Sequence, residues 1–331
     1  MKKRMAGVAG VLLSTMLIAG CGSSDTAGTG GESESKTETF KVGVTQIVEH
    51  PSLDEALKGF KEALKEEGLE VEYDVQIAQG DMSTNQSIAT NFAGDNVDLI
   101  FANSTPSALG ALNATKEIPI IFTSVTDPVG AGLVKSFEEP GDNITGTTDT
   151  HPDAIPNTVK FIEQHEKGTR IGAIYNSGEQ NSVAQIKMVK EAAEGTDLKL
   201  VEASVSTSAE VKQAAESLIG KVDVFYIITD NTVVSALESV IQVATEQDIP
   251  LYVGELDSVN RGGFAAYGFS YFDIGYQSGE MAASILKGEK KASDISVQYP
   301  DNLKLLINKK AADDMGIELL PEWDKEAEYT E

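Results

Sequence analysis

The chain has 331 residues, 41% of them hydrophobic, with 52 acidic against 26 basic side chains for a net charge of −26. That field repels nucleic acid and anionic lipid headgroups, and arginine occurs only at Arg4, Arg170 and Arg261, so no basic cluster offsets it. The single cysteine excludes an intramolecular disulfide, which leaves stability to burial.

Lys2, Lys3 and Arg4 open a short apolar run that ends in Leu17-Ile18-Ala19-Gly20-Cys21. A basic start, a short apolar core and a small-residue exit make a secretory signal peptide over residues 1–20, too short to span a membrane stably. A cysteine at the exit resembles the bacterial lipobox, which implies that Cys21 is lipidated and becomes the first mature residue. Loss of the three basic residues takes the net charge to about −29, and the remaining 311 or so residues suit two domains. Residues 21–39, rich in Gly, Ser, Thr and acids without an apolar period, read as a flexible tether.

The pattern then changes to strands alternating with helices. Lys41–Val48 reads as a strand and Ser52–Glu66 as a helix, with Leu53, Ala56, Leu57, Phe60 and Leu64 on one face and Gly68 at its end. Val71–Ala78, Val97–Ala102 and Ile118–Thr123 follow as strands, the last two apolar throughout, as in a parallel sheet covered on both faces. Ile171–Tyr175, Leu198–Ala203, Val222–Ile228 and Pro250–Val253 repeat the theme. The chain also resembles itself. Val97-Asp98 parallels Val222-Asp223, Ile118-Pro119 parallels Ile249-Pro250, and Lys41-Val42-Gly43 parallels Arg170-Ile171-Gly172. These runs predict an α/β fold of two similar doubly wound parallel-sheet lobes with a ligand cleft between them.

Open parallel sheets bind ligands beyond the carboxyl ends of their strands, and polar residues gather there. The candidates in the first half are Glu49, His50, Ser104, Thr105, Ser124 and Asp127. In the second half they are Asn176, Asn181, Ser182, Asp230, Asn231, Glu255 and Asp257. Ser104-Thr105-Pro106 opens a helix, which suits either capping or a ligand carboxylate. Asn181-Ser182 carries the same two readings. Asp230, Glu255 and Asp257 favour a cation such as an ammonium group, with capping by Asp230 as the alternative. Counting along the repeat sets Asp230 opposite Thr105. Hydroxyls on one side and acids on the other suit a zwitterion.

Catalysis finds no support. His50, His151 and His165 lack metal spacing, His165 reads as a solvated helix residue, and no nucleophile elbow, P-loop or G-x-G-x-x-G follows a strand. No metal or cofactor is expected.

Several longer motifs carry a family resemblance. They are Val48-Glu49-His50-Pro51, the run Thr126–Val134, the run Tyr175–Ser182, Thr229–Ser235 and Arg261-Gly262-Gly263. In these the chain resembles the ABC-transporter substrate-binding proteins of the tryptophan/tyrosine-binding lipoprotein type, over residues 40–310. The resemblance implies a type I periplasmic-binding fold with three crossovers, an amino-acid ligand, often aromatic, and an ATP-driven permease as partner. With the lipobox, an anchor through Cys21 on the outer face of the cell membrane or its periplasmic side is expected, and a monomer. The same fold binding a nucleoside, sugar or signal molecule for a membrane sensor is the alternative. The first lobe is expected over 40–148 plus 260–290, the second over 149–259 plus 291–320. Residues 321–331 are expected to form a loose tail that leaves Trp323 outside any pocket.

Overall fold

The computed structural model describes residues 39–165 and 169–331. Cys21 and the signal and tether readings lie outside them. Among the described residues no helix is long and apolar enough to cross a membrane.

The first lobe begins with β1 (Thr39–Gln46), α1 (Pro51–Glu66), β2 (Glu70–Ile77) and α2 (Met82–Asp95). It continues with β3 (Leu99–Asn103), α3 (Thr105–Ala114), β4 (Ile120–Val125) and β5 (Ile144–Thr148). The chain crosses to the second lobe at α4 (Ala154–His165), β6 (Arg170–Asn176), α5 (Gln180–Ala192) and β7 (Lys199–Val205). There it adds α6 (Val211–Leu218), β8 (Val224–Ile227), α7 (Asn231–Val234), α8 (Leu237–Glu246), β9 (Leu251–Val253), α9 (Leu256–Arg261) and β10 (Ala265–Gly268). It returns to the first lobe as α10 (Tyr271–Leu286) and ends in the second as β11 (Lys304–Asn308), α11 (Lys309–Asp314) and β12 (Ala327–Thr330).

The first sheet has the order β2-β1-β3-β4-β5 and the second β12-β11-β10-β9-β8-β6-β7. All pairings are parallel except that of β10 with β11. Every residue of β3, β4 and β8 is buried, which explains their uninterrupted apolar runs. The internal repeat is a repeat of contacts. Lys41 N donates to the Asp98 carboxylate at 2.7 Å and Arg170 N donates to Asp223 at 2.8 Å. Likewise Ile100 N donates to Pro119 O and Phe225 N to Pro250 O, so each Ile-Pro pair starts the neighbouring strand.

Two boundaries differ from the expected ones. The segment over 260–268 stays with the second sheet as α9 and β10, and the first lobe regains the chain only at α10. It keeps the chain to Gln298, which bridges Thr147 beside β5. Helix α10 lies close against α1 because glycines face each backbone: a Cβ on Gly59 would stand 2.0 Å from Phe272 O, and one on Gly275 would stand 1.9 Å from Ala56 O. The expected loose tail is instead part of the second lobe. β12 pairs with β11, and Trp323, 3% exposed, packs against Phe161 and Phe264 with ring centroids at 5.3 and 5.9 Å. Its indole N–H donates to His165 Nε2 at 3.1 Å. His165 is therefore that indole's acceptor, where the sequence suggested a solvated residue. A tail rich in charge still folds when one large aromatic supplies its burial.

Candidate functional site

The carboxyl ends of the two sheets face each other across a cleft. A cavity of about 510 Å³ opens there, walled on the first lobe by Ile47, Val48, Met82 and Pro106 and on the second by Asn176, Glu179, Asn231 and Thr232. A neighbouring cavity of about 560 Å³ shares Val48 and Gln79 and reaches Glu49, His50 and Arg261.

On the first lobe, the backbone itself marks the strand ends. Ser104, between β3 and α3, has φ 111° and ψ 160°, and Ser124 in β4 has φ 56°. Both are buried, and side chains with a Cβ adopt such angles only against strain. The Ser124 hydroxyl donates to Asn103 Oδ1 at 2.9 Å, and Asn103 Nδ2 donates to Gln46 Oε1 at 2.9 Å, which ties three strands together at the cleft. Ser104 Oγ accepts from Ser107 N at 3.4 Å as the cap of α3. The next side chain, Thr105, is 1% exposed, and its hydroxyl has no partner. His50 stands at the N-cap position of α1, also with Nδ1 buried and unpartnered. Burial and the Arg261 charge push its pKa down to about 4, so the ring is neutral at ordinary pH. Glu49 beside it is exposed on the rim. Asp127 serves its own turn, accepting from Gly130 N at 2.7 Å.

On the second lobe, one network gathers the candidates Asn176, Asn181 and Asn231 around Glu179, which follows the same strand as Asn181 but is not among the candidates. Glu179 is 6% exposed. Its Oε2 accepts from Asn231 Nδ2 at 2.5 Å and Asn181 Nδ2 at 3.2 Å, and its Oε1 accepts from Thr232 N at 3.2 Å and Thr232 Oγ1 at 2.8 Å. Asn176 Nδ2 donates to the same Thr232 hydroxyl at 3.0 Å. Asn181 Oδ1 is buried without a partner.

Asp230 lies one layer deeper, fully buried. Its Oδ1 accepts from Val233 N at 2.7 Å as the cap of α7, and its Oδ2 accepts from Asn176 N at 2.6 Å and the Ser182 hydroxyl at 2.7 Å. Burial and the nearby Glu179 charge raise its pKa to about 7. Asp230 thus holds the ends of β6 and α5 in place, and its oxygens are occupied within its own lobe. Both Asp230 and Ser104 are helix caps, so the structural counterpart of Asp230 is Ser104, one residue from the Thr105 that counting had set opposite it.

The remaining acids form a separate cluster at the crossovers. Glu255 accepts from the Ser258 hydroxyl at 2.7 Å, and Asp149 accepts from Thr126 Oγ1 and Tyr271 Oη, both at 3.0 Å. Burial raises Asp149 and Asp257 to about 6 and Glu255 upward as well. Glu255 and Asp257 therefore stand with Asp149 and Tyr271 and apart from Asp230. Arg261 is fixed on Glu238 and on Val234 O.

The chain is similar in sequence and shape to several known proteins. A tyrosine-binding protein of Clostridioides difficile (strain R20291) is 45% identical over 309 residues, covering 91% of this chain and 88% of the relative. A Streptococcus pneumonia ABC domain solved in complex with L-Trp is 33% identical, with a TM-score of 0.83 over 88% of this chain and 99% of that one. A ligand-free, open substrate binding protein with adhesive properties from Clostridium difficile is 42% identical, with a TM-score of 0.64 over 88% and 99%. Residues 41–330 match the family described as ABC transporter substrate binding protein, and the chain belongs to that family, with its type I periplasmic-binding fold.

Proposed function

We propose that this chain captures an aromatic amino acid between its lobes and delivers it to an ABC permease powered by its ATPase. One observation carries the reading: a single cavity has an apolar wall on one lobe and a buried, hydrogen-bonded carboxylate on the other. Its volume of about 510 Å³ is ample for tyrosine or tryptophan. In this arrangement the ring lies along Ile47, Val48, Met82 and Pro106. The ammonium group meets Glu179, with the unpartnered Asn181 Oδ1 buried behind it. The carboxylate meets the start of α3 at Pro106, where the helix end favours an anion and the unpartnered Thr105 hydroxyl is the neighbouring side chain. Asp230, Ser182 and Asn176 hold this frame. The relatives' ligands, tyrosine and L-Trp, support the choice of amino acid.

Substrate-binding proteins of ABC transporters work outside the cytoplasm. For this chain the signal run and Cys21 add a lipid anchor on the outer face of the membrane, with the acidic tether holding the lobes in water. The chain binds and releases its cargo without chemistry. A thermal-shift screen against the common amino acids tests the ligand: a hundredfold excess over Kd adds about 2.7 kcal/mol. Stabilisation by tyrosine or tryptophan is the expected result. Stabilisation by a nucleoside or sugar alone would replace this reading.

A further inference from the structure

A side-chain hydrogen bond joins the two lobes beside the crossover at Asp149. Gln185, on α5 of the second lobe, donates from Nε2 to Thr126 Oγ1 of the first lobe at 3.0 Å, and it is 4% exposed. The orientation of this amide is fixed by chemistry. Thr229 N–H can only donate, and it donates to Gln185 Oε1 at 3.2 Å, so Nε2 faces the Thr126 and Thr229 hydroxyls, both within its reach. Both N–H groups of the amide are then used within the protein. Thr126 accepts from Gln185, so its one proton goes to Asp149 Oδ1 at 3.0 Å, and the Tyr271 hydroxyl donates to Asp149 Oδ2 at 3.0 Å. Every bond has one donor and one acceptor. The chain of bonds runs from α5 and the end of β8 to the two points where the polypeptide passes between lobes: Asp149 after β5 and Tyr271 at the start of α10.

We propose that Gln185 and Thr126 form a latch that stabilises the closed arrangement of the lobes and sets how long the cargo stays bound, without reading the cargo itself. The lobes here are arranged more as in the L-Trp complex than as in the open ligand-free relative, although the open relative is the more similar of the two in sequence. The latch joins α5 of the second lobe to the residue that follows β4 in the first. A bond of this kind raises the closed population of the empty protein and slows release.

The latch does not depend on which amino acid is bound, so its test has one arm that needs no ligand. Small-angle X-ray scattering of the empty full chain is compared for the native protein, Gln185→Ala, Thr126→Val, the double variant and Thr126→Ser. The off-rate of L-tyrosine is measured by stopped flow for the same set. The first two variants are expected to enlarge the radius of gyration and to speed release by about fivefold, the size of one neutral hydrogen bond, with an on-rate no lower than native. The double variant should match either single one, and Thr126→Ser, which keeps the hydroxyl, should behave as native. A radius of gyration and off-rate unchanged in both single variants would overturn the latch. So would additive losses in the double variant accompanied only by lower melting temperatures. If no amino acid binds, the proposed function fails while the scattering arm still decides the latch.

Discussion

Replacing Glu179 by Gln removes a charge from the cavity wall while keeping the side chain's size. The carboxylate accepts four hydrogen bonds from Asn231, Asn181 and both donors of Thr232. In Glu179→Gln an NH2 group replaces one oxygen, so the donors on that side lose their acceptor, at a cost of about 1–3 kcal/mol of stability. Affinity has a separate cause. An ammonium group bound to the carboxylate gains a charge-assisted bond worth about 1.5–3 kcal/mol, so its loss weakens L-tyrosine binding about 10- to 150-fold. The two effects part company with a ligand that has no ammonium, 3-(4-hydroxyphenyl)propanoate. Calorimetric titrations of native and variant protein with both ligands should show a large loss for tyrosine and a small one for the analogue. An equal loss for both ligands, or unchanged tyrosine affinity, would refute the assignment of the ammonium to Glu179.

Asp230→Asn should cost about 1–3 kcal/mol in a melting experiment, because Asn176 N and Ser182 then meet an amide NH2. Its effect on tyrosine affinity should stay below about tenfold, or 1.4 kcal/mol, and a larger loss would return Asp230 to direct contact. Trp323→Ala should destabilise by about 3–5 kcal/mol in urea unfolding, whereas a loose tail would leave the midpoint unmoved. Stability should fall as pH rises from about 4 towards 7. Asp149, Asp257, Asp230 and Glu255 are all pushed upward, so the folded protein keeps protons there that the unfolded chain has released. His50, held neutral down to about 4, and His165, also pushed down by burial, act in the opposite sense and lose stability as pH falls below 6.5, but two rings do not outweigh four carboxyls. Urea midpoints measured at about pH 5.5 and pH 8 check the sign, and a higher midpoint at the alkaline end would contradict it. Cys21→Ser should release the protein from membranes, or leave it unprocessed, without altering ligand affinity, as cell fractionation and titration would show. A processed variant that stays membrane-bound would remove the lipobox.

The lobes were legible because their signals are local and doubled. Val-Asp and Ile-Pro recur in the same order, and the structure shows each pair making the same backbone contacts in both halves. Strands β5 and β10 were not read from the sequence. Ile144-Thr145-Gly146-Thr147-Thr148 and Ala265-Ala266-Tyr267-Gly268 lack an apolar run, and neighbouring strands supply the burial that holds them. The tail misled for the opposite reason, because its charges are plain in the sequence and the partner of its one tryptophan is 158 residues away. At the cleft, strand-end position found Asn176, Asn181, Asp230 and Asn231 but weighted all polar residues alike. Glu179 differs from the exposed Glu49 only in burial and in the donors that converge on it, and both come from tertiary packing. The cap geometry that pairs Asp230 with Ser104 was likewise hidden, since the second repeat runs longer between strand and helix.

The central claim is that the space between the lobes takes an aromatic amino acid by its charged ends and its ring. Calorimetric titration of the full chain with L-tyrosine and L-tryptophan, with L-alanine and a hexose as comparisons, addresses it most directly. Saturable one-site binding of an aromatic amino acid, much tighter than that of alanine, is the predicted result. Binding of the hexose with no heat from either aromatic amino acid would contradict it.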